Sequence, residues 1–318
     1  MVFLSAGRGH ALLLREYLVI IPSGLRHLLF LVIAVLLVPL SSSAESFKLG
    51  SIGIDPVAET KKFSPLASYL ARQLQTDGID EGKVVVAASI HAMSSFMQTR
   101  QVDLYMDSFF PSLAVSRLSD SKLLLRRWKM GKSEYQSVIF TRKDSGIARL
   151  EDLKGKVIAF EEPFSSTGYF FPKIPLLEKD LRLALKKQGN DPVKPDEVGY
   201  VFSHGDSNTI YMVLNGVVAA GTTDDQKYFT LAKSLGRFKI IHKTVPFPRQ
   251  LVSYRADLPA NLVTRIRDIL LNMHRSEAGK QILQAFESTT KFEAIPGRDF
   301  DLVAAFRKQI DAELKLQQ

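Results

Sequence analysis

The chain has 318 residues, 46% of them hydrophobic and 24% charged, enough for two medium lobes or one large domain. It contains no cysteine, which excludes disulfides, thiolate metal sites, a cysteine nucleophile and a lipid-modified cysteine behind an export signal. Its net charge of +9, from 42 basic and 33 acidic residues, is spread along the chain, so it serves solubility or the attraction of anions or an acidic surface and argues against nucleic acid as a partner.

Residues 1–44 read as an export signal. Arg8, Arg15 and Arg26 supply positive charge, Leu28 to Leu40 is an apolar run of 13 residues, and Ser42 and Ala44 offer the small-x-small pattern of a cleavage site. The run is shorter than the roughly 18 residues of a spanning helix. The alternative is an uncleaved anchor. Cleavage after Ala44 leaves 274 of the 318 residues and takes the net charge from +9 to +7. The expected location is periplasmic.

Beyond Ala44, short apolar runs alternate with amphipathic stretches, the pattern of an α/β protein. Expected strands are Phe47–Ile54, Lys83–Ala88, Val102–Met106, Leu123–Trp128, Gln136–Thr141, Lys156–Phe160, Val198–Phe202, Val217–Gly221, Phe238–His242 and Gln250–Tyr254. Helices fall between them. Ser64-Pro65 is expected to open Leu66–Leu74, with serine as N-cap and proline first in the helix. Asp206 or Ser207 caps a helix that Asn215-Gly216 ends. Asp257-Leu258-Pro259 opens a long helix toward His274, Gly279–Phe286 forms another, and Leu302–Leu316 closes the chain. No internal repeat or low-complexity tract is present. A lobe built from 45–135 plus 247–318, with a second lobe of 136–246 inserted, accounts for this order.

Four stretches follow strands and could carry binding chemistry. Glu161-Glu162-Pro163-Phe164-Ser165-Ser166-Thr167-Gly168-Tyr169 leads from a buried strand into a helix start near Thr167. First-turn amides and hydroxyls there can cradle an anion, with Gly168 allowing close backbone approach; an ordinary N-cap uses the same residue types. Ser203-His204-Gly205 places His204 where it can donate to an anion, or serve the fold alone. Asp224 and Asp225 follow the next strand. Either can accept a hydrogen bond from a protonated or amine-bearing ligand, or simply cap a helix. Asp107, Ser108, Phe109 and Phe110 offer an acid and aromatics to a cleft, or a hydrophobic turn. No G-x-S-x-G elbow, P-loop or H-E-x-x-H motif occurs, and the six histidines are scattered, so no catalytic group, metal or cofactor is expected.

Together these stretches resemble the phosphate/phosphite/phosphonate-binding proteins of ABC transporters. The carriers are Tyr135–Gly146, Leu150–Lys156, Ser165–Tyr169 with Phe171-Pro172, Ser203-His204, Val213–Gly216, Pro246–Pro248 and Arg255–Pro259, and the resemblance runs from about Leu49 to Pro296. It implies a two-lobed α/β type II periplasmic-binding-protein fold, its lobes joined by two crossover strands. It also implies an oxyanion site at Ser165, Ser166 and Thr167, aided by His204 and by Asp224 or Asp225. Three features depart from the family pattern. Asp107-Ser108-Phe109-Phe110 replaces a Gly-Pro loop, Ile90-His91 stands where a ligand-facing tyrosine is usual, and the anion loop reads Phe-Ser-Ser-Thr-Gly. Gly168, Asp107, Phe109 and His91 complete the expected ligand contacts, and Asp107 could pair with an amine.

The expected function is the solute-binding component of an ABC transporter, a monomer that holds a small oxyanion and meets a membrane permease. The alternative is a binding protein that reports ligand to a membrane signalling partner. An enzyme on the same scaffold is disfavoured by the missing catalytic constellation.

Overall fold

The computed structural model describes residues 45–316, so the export-signal expectation lies outside the described residues. In chain order the elements are β1 (Glu45–Ile52), α1 (Pro56–Gln73), β2 (Ile79–Ala87), α2 (Ile90–Gln98), β3 (Leu104–Ser108), α3 (Phe109–Ser119), β4 (Lys122–Lys129), β5 (Glu134–Tyr135), β6 (Ser137–Arg142) and β7 (Val157–Phe160). They continue with α4 (Phe171–Glu178), β8 (Arg182–Leu185), β9 (Glu197–Phe202), α5 (Asp206–Leu214), β10 (Ala220–Asp224), α6 (Asp225–Lys227), β11 (Phe238–Lys243), β12 (Phe247–Pro248) and β13 (Gln250–Tyr254). The last are α7 (Ala260–Asn272), α8 (Glu277–Ala285), β14 (Thr289–Glu293), α9 (Gly297–Ala305) and α10 (Arg307–Leu316).

The strands form two six-stranded mixed sheets, ordered β14-β4-β13-β3-β1-β2 and β11-β6-β10-β7-β9-β8. β1 runs parallel to both β2 and β3, and β7 runs parallel to β9 and β10. The chain leaves the first sheet after β4 and returns to it at β13. On the way out and back, β5 and β12 pair antiparallel, Tyr135 opposite Phe247. Two crossing segments therefore touch each other between the sheets.

Where expectation and structure differ, local chemistry explains it. α1 starts at Pro56 rather than after Ser64, and Asp55 caps it: its carboxylate accepts from the amides of Val57 (3.1 Å) and Ala58 (3.0 Å). Ser64 instead donates to the Thr60 carbonyl four residues back, as a mid-helix serine does, and the helix continues through Pro65. β8 and β14 were not expected as strands. Each lies at the outer edge of its sheet and carries a short, charged sequence with little period-two signal. The final helix is broken at Phe306, whose ring packs edge-on against Phe171, 4.9 Å between centroids.

The core comprises several apolar clusters. One of them joins elements of both sheets: Phe109 and Phe110 of α3, Phe170 and Phe171 at the head of α4, Tyr135 and Phe247 of the crossing pair, and Ile310 and Leu314 of α10. Phe110 stacks on Phe170 at 4.2 Å, and Phe171 on Phe247 at 3.6 Å. Such contacts hold the two sheets at a close, dry junction beside the cleft.

Candidate ligand-binding site

β7 is buried along its whole length and delivers Glu161 to the space between the sheets. The chain then turns back on itself: the Glu161 amide donates to the Gly168 carbonyl at 2.9 Å. Ser165 caps the following wide turn (Ser166–Phe170), its hydroxyl accepting from the Gly168 amide at 2.8 Å and donating to Glu161 Oε2 at 2.6 Å. A Cβ on Gly168 would lie 2.3 Å from that of Glu161, so this close return requires glycine. Ser166 reaches across to the first sheet, where its hydroxyl accepts from the Phe110 amide at 2.8 Å and donates to Ser108 Oγ at 2.9 Å. The Thr167 carbonyl is held by Ser137 Oγ at 2.5 Å, and the Gly168 carbonyl by Thr222 Oγ1 at 2.6 Å.

This loop is one wall of a chamber of about 200 Å³. Asp107, Ser108, Lys129, Arg249 and Gln250 line it from the first sheet and its crossing segment, Glu161, Ser165, Ser166, Thr167, Asp206 and Asp224 from the second. One end is acidic. Burial pushes the Glu161 carboxyl up to about 8; Asp206 and Asp224 add to the rise, and the Ser165 hydroxyl opposes it. Asp206 is raised by burial and by Asp224, against the hydroxyl of Thr223, which donates to it. Asp107 is raised to about 6 by burial, although the Ser108 amide and the Tyr105 hydroxyl both donate to it. At neutral pH the Glu161 carboxyl therefore keeps its proton and can donate a hydrogen bond. Its two cations, Lys129 and Arg249, come from the first sheet and its crossing segment. Burial lowers Lys129; Arg127 and Arg249 add to that, and Glu287 opposes it.

Asp107, Ser165, Ser166, Thr167 and Asp224 are brought together on this chamber. Five expected contacts lie elsewhere. Gly168 sits behind the loop, packed on Glu161. Asp225 points to the Gln136 amide (3.4 Å), so Asp224 is the aspartate that faces the chamber. Phe109 is fully buried in the aromatic cluster, 5.7 Å from Phe171 and 6.1 Å from Phe247; the strand-to-helix turn that exposes Asp107 directs Phe109 inward. His91 and His204 line a second, larger cavity of about 690 Å³ with Ile54, Ala88, Ile90 and Pro163. Glu162 and Phe164 line both cavities. His204 has φ of 59°, an uncommon left-handed conformation for histidine, and its Nδ1 lies 3.0 Å from Glu162 Oε1.

Lys129, Arg249, Glu161 and Asp206 were not singled out as ligand contacts. Asp206 reads as a helix cap, Glu161 as a loop acid, and the two cations belong to no motif; only the pairing of β4 with β13 brings Lys129 near Arg249. Among the described residues no group of three or more His, Cys, Asp or Glu is arranged to hold a metal ion, and no helix is long and apolar enough to cross a membrane.

Two mixed sheets joined by two crossing segments, with a polar chamber between them at the ends of β3, β7, β9 and β10, define a type II periplasmic-binding-protein fold. The model of the family described as "ABC transporter, phosphonate, periplasmic substrate-binding protein" matches residues 54–300, and the chain belongs to that family. It is thus the substrate-binding component of a transporter by class, of an extracytoplasmic kind. Solved structures share the fold. XAC2383 of Xanthomonas citri, solved with chloride, is 22% identical with a TM-score of 0.80, over 85% of this chain and 99% of that one. PhnD1 of Prochlorococcus marinus, solved with methylphosphonate, is 17% identical with a TM-score of 0.64, over 84% and 99%. A binding protein component of an ABC phosphonate transporter from Pseudomonas aeruginosa is 19% identical with a TM-score of 0.63, over 85% and 89%.

Proposed function

We propose that the protein captures a small oxyanion of the phosphonate type in the 200 Å³ chamber and presents it to an ABC permease. The observation that carries this reading is the double wall. Side chains of both sheets meet in one polar chamber, so a ligand bound there is touched from two sides and biases the sheets toward closure. Residues 45–135 plus 247–318 act as one lobe and 136–246 as the other, hinged at β5 and β12. On the ligand the second lobe presents the Ser165–Thr167 turn, whose first amides have no partner within the helix, and Asp224. Asp107 faces them, and His91 and His204 stand at the larger outer cavity. The protein makes and breaks no bond, acts as a monomer, binds no nucleic acid and is exported through residues 1–44.

A thermal-shift panel of phosphate, phosphite, methylphosphonate, aminoalkylphosphonates, sulfate and sulfonates tests the reading. A ligand at 100 times its dissociation constant adds about 2.7 kcal/mol of stability. Absence of any shift across the panel ends the oxyanion reading, and turnover of a panel member ends the non-enzymatic one.

A further inference from the structure

Arg249 lies between β12 and β13, and its side chain is 5% exposed. Its amide donates to the Ser133 carbonyl at 2.7 Å, which fixes the backbone of the crossing segment. The guanidinium lines the chamber, yet its Nε and Nη1 are buried with no hydrogen-bond partner. Its remaining contacts are weak: the ring of Tyr135 lies 4.7 Å away, and Nη2 approaches the Met130 sulfur at 4.0 Å. No carboxylate is within ion-pair reach of it among the described residues. A buried guanidinium with two orphaned donors is costly, and an anion is the partner that removes the cost. Lys129, also on the chamber, shares Glu287 with Arg127 and Lys62, so one carboxylate is divided among three cations. On the facing wall the serine hydroxyls are already occupied. Ser165 donates to Glu161, and Ser166 donates to Ser108.

We propose that Arg249, with Lys129 beside it, is the principal charge partner of the bound oxyanion and selects ligands with a doubly charged head group. This rests on the oxyanion reading above and assigns the grip within it. The unpartnered Nε and Nη1 donors point to different sides of the guanidinium, so an anion in the chamber can take a charge-assisted hydrogen bond from whichever of them faces it. A singly charged sulfonate of the same shape accepts the same hydrogen bond but neutralises less of the charge on Arg249 and Lys129.

Titration calorimetry with methylphosphonate and methanesulfonate, on the exported protein and its Arg249→Met and Arg249→Lys variants, tests this. Arg249→Met weakens methylphosphonate by at least about thirtyfold, the loss expected when one partner of a buried charge pair is removed. It weakens methanesulfonate less, so preference between the two narrows. Arg249→Lys keeps part of that preference. The ligand-free melting temperature of Arg249→Met stays equal to wild type or rises, because an unpaired buried charge has been removed. Methylphosphonate affinity within about threefold of wild type in Arg249→Met overturns the proposal and leaves the oxyanion reading standing. Equal weakening of both ligands, with the lysine variant no better than methionine, assigns Arg249 to packing and also overturns it. A wild-type protein that binds neither ligand, nor any other of the panel, overturns both readings.

Discussion

Arg126 and Arg127 of β4 and Arg249 of the crossing segment are equally hidden from solvent, and they are treated in opposite ways. Arg127 is fully buried and saturated: it donates to Thr289, Gln250, the Phe286 carbonyl and Glu287, and lies 3.9 Å over the Phe286 ring. Arg126 pairs with Glu293, Glu134 and Asp299. Arg249 has no ion pair, its Nε and Nη1 have no hydrogen-bond partner, and it keeps only the Tyr135 ring and the Met130 sulfur. The guanidiniums of β4 are saturated by the protein, whereas two donors of the guanidinium at the chamber are left open. Groups saturated by the protein serve stability; groups left unsaturated beside a cavity are there for something that comes and goes.

The largest expected effect is on the saturated side. Arg127→Met strips four hydrogen bonds, one of them an ion pair, from a buried site and should destabilise by about 3 to 5 kcal/mol in urea unfolding. A loss below about 1 kcal/mol would erase the distinction from Arg249, since surface-like arginines cost no more than that.

The two regions also predict opposite pH signatures. Burial resists ionisation of Glu287, but Lys129, Arg127 and Lys62 outweigh it and hold the carboxyl well below its ordinary range. Its contribution is present above pH 4.5 and is lost as pH falls into stronger acid. Glu161 is raised to about 8, so the folded protein holds a proton that the unfolded chain releases near 4.5. That contribution is complete at low pH and is lost as pH rises between 4.5 and 8. Asp107 acts in the same direction up to about 6. Ligand-free stability should therefore decline from pH 6 to pH 8. Glu161→Gln, which mimics the protonated carboxyl, should flatten that decline and exceed wild type at pH 8 by about 1 to 2 kcal/mol, a figure reduced for the partial exposure of Glu161. Parallel profiles for the two proteins would show that Glu161 ionises freely.

How much of this was legible follows the same division. Strands such as Gln250–Tyr254 announce themselves, because buried apolar runs owe their pattern to local periodicity. The Ser165–Gly168 turn is legible too, since serine, threonine and glycine between a strand and a helix have a narrow set of uses. Asp55-Pro56 carried a cap signal as good as Ser64-Pro65, and only the longer amphipathic reach of α1 decides between them. The cations of the chamber were not legible. Lys129 and Arg249 are 120 residues apart in a chain with 42 basic residues, and nothing local marks the pair. They become a site through the antiparallel pairing of β13 with β4 and the turn at β12.

Ser165 offers the finest division between the two kinds of group. It is a conspicuous hydroxyl of the loop, and a ligand-facing serine would be spent on the oxyanion. Here its oxygen accepts from Gly168 and its proton goes to Glu161. Ser165→Ala should then cost about 1 kcal/mol, the usual loss of a serine cap. It should also move the Glu161 titration upward, because the hydroxyl it removes favours the charged carboxylate. Chemical denaturation measures the first effect, and NMR of the labelled glutamate carboxyl the second. Methylphosphonate affinity should change by less than about threefold, since no donor to the ligand is lost. A tenfold loss of affinity with unchanged stability would place the hydroxyl on the ligand after all, and would move the grip from the arginine wall back to the loop.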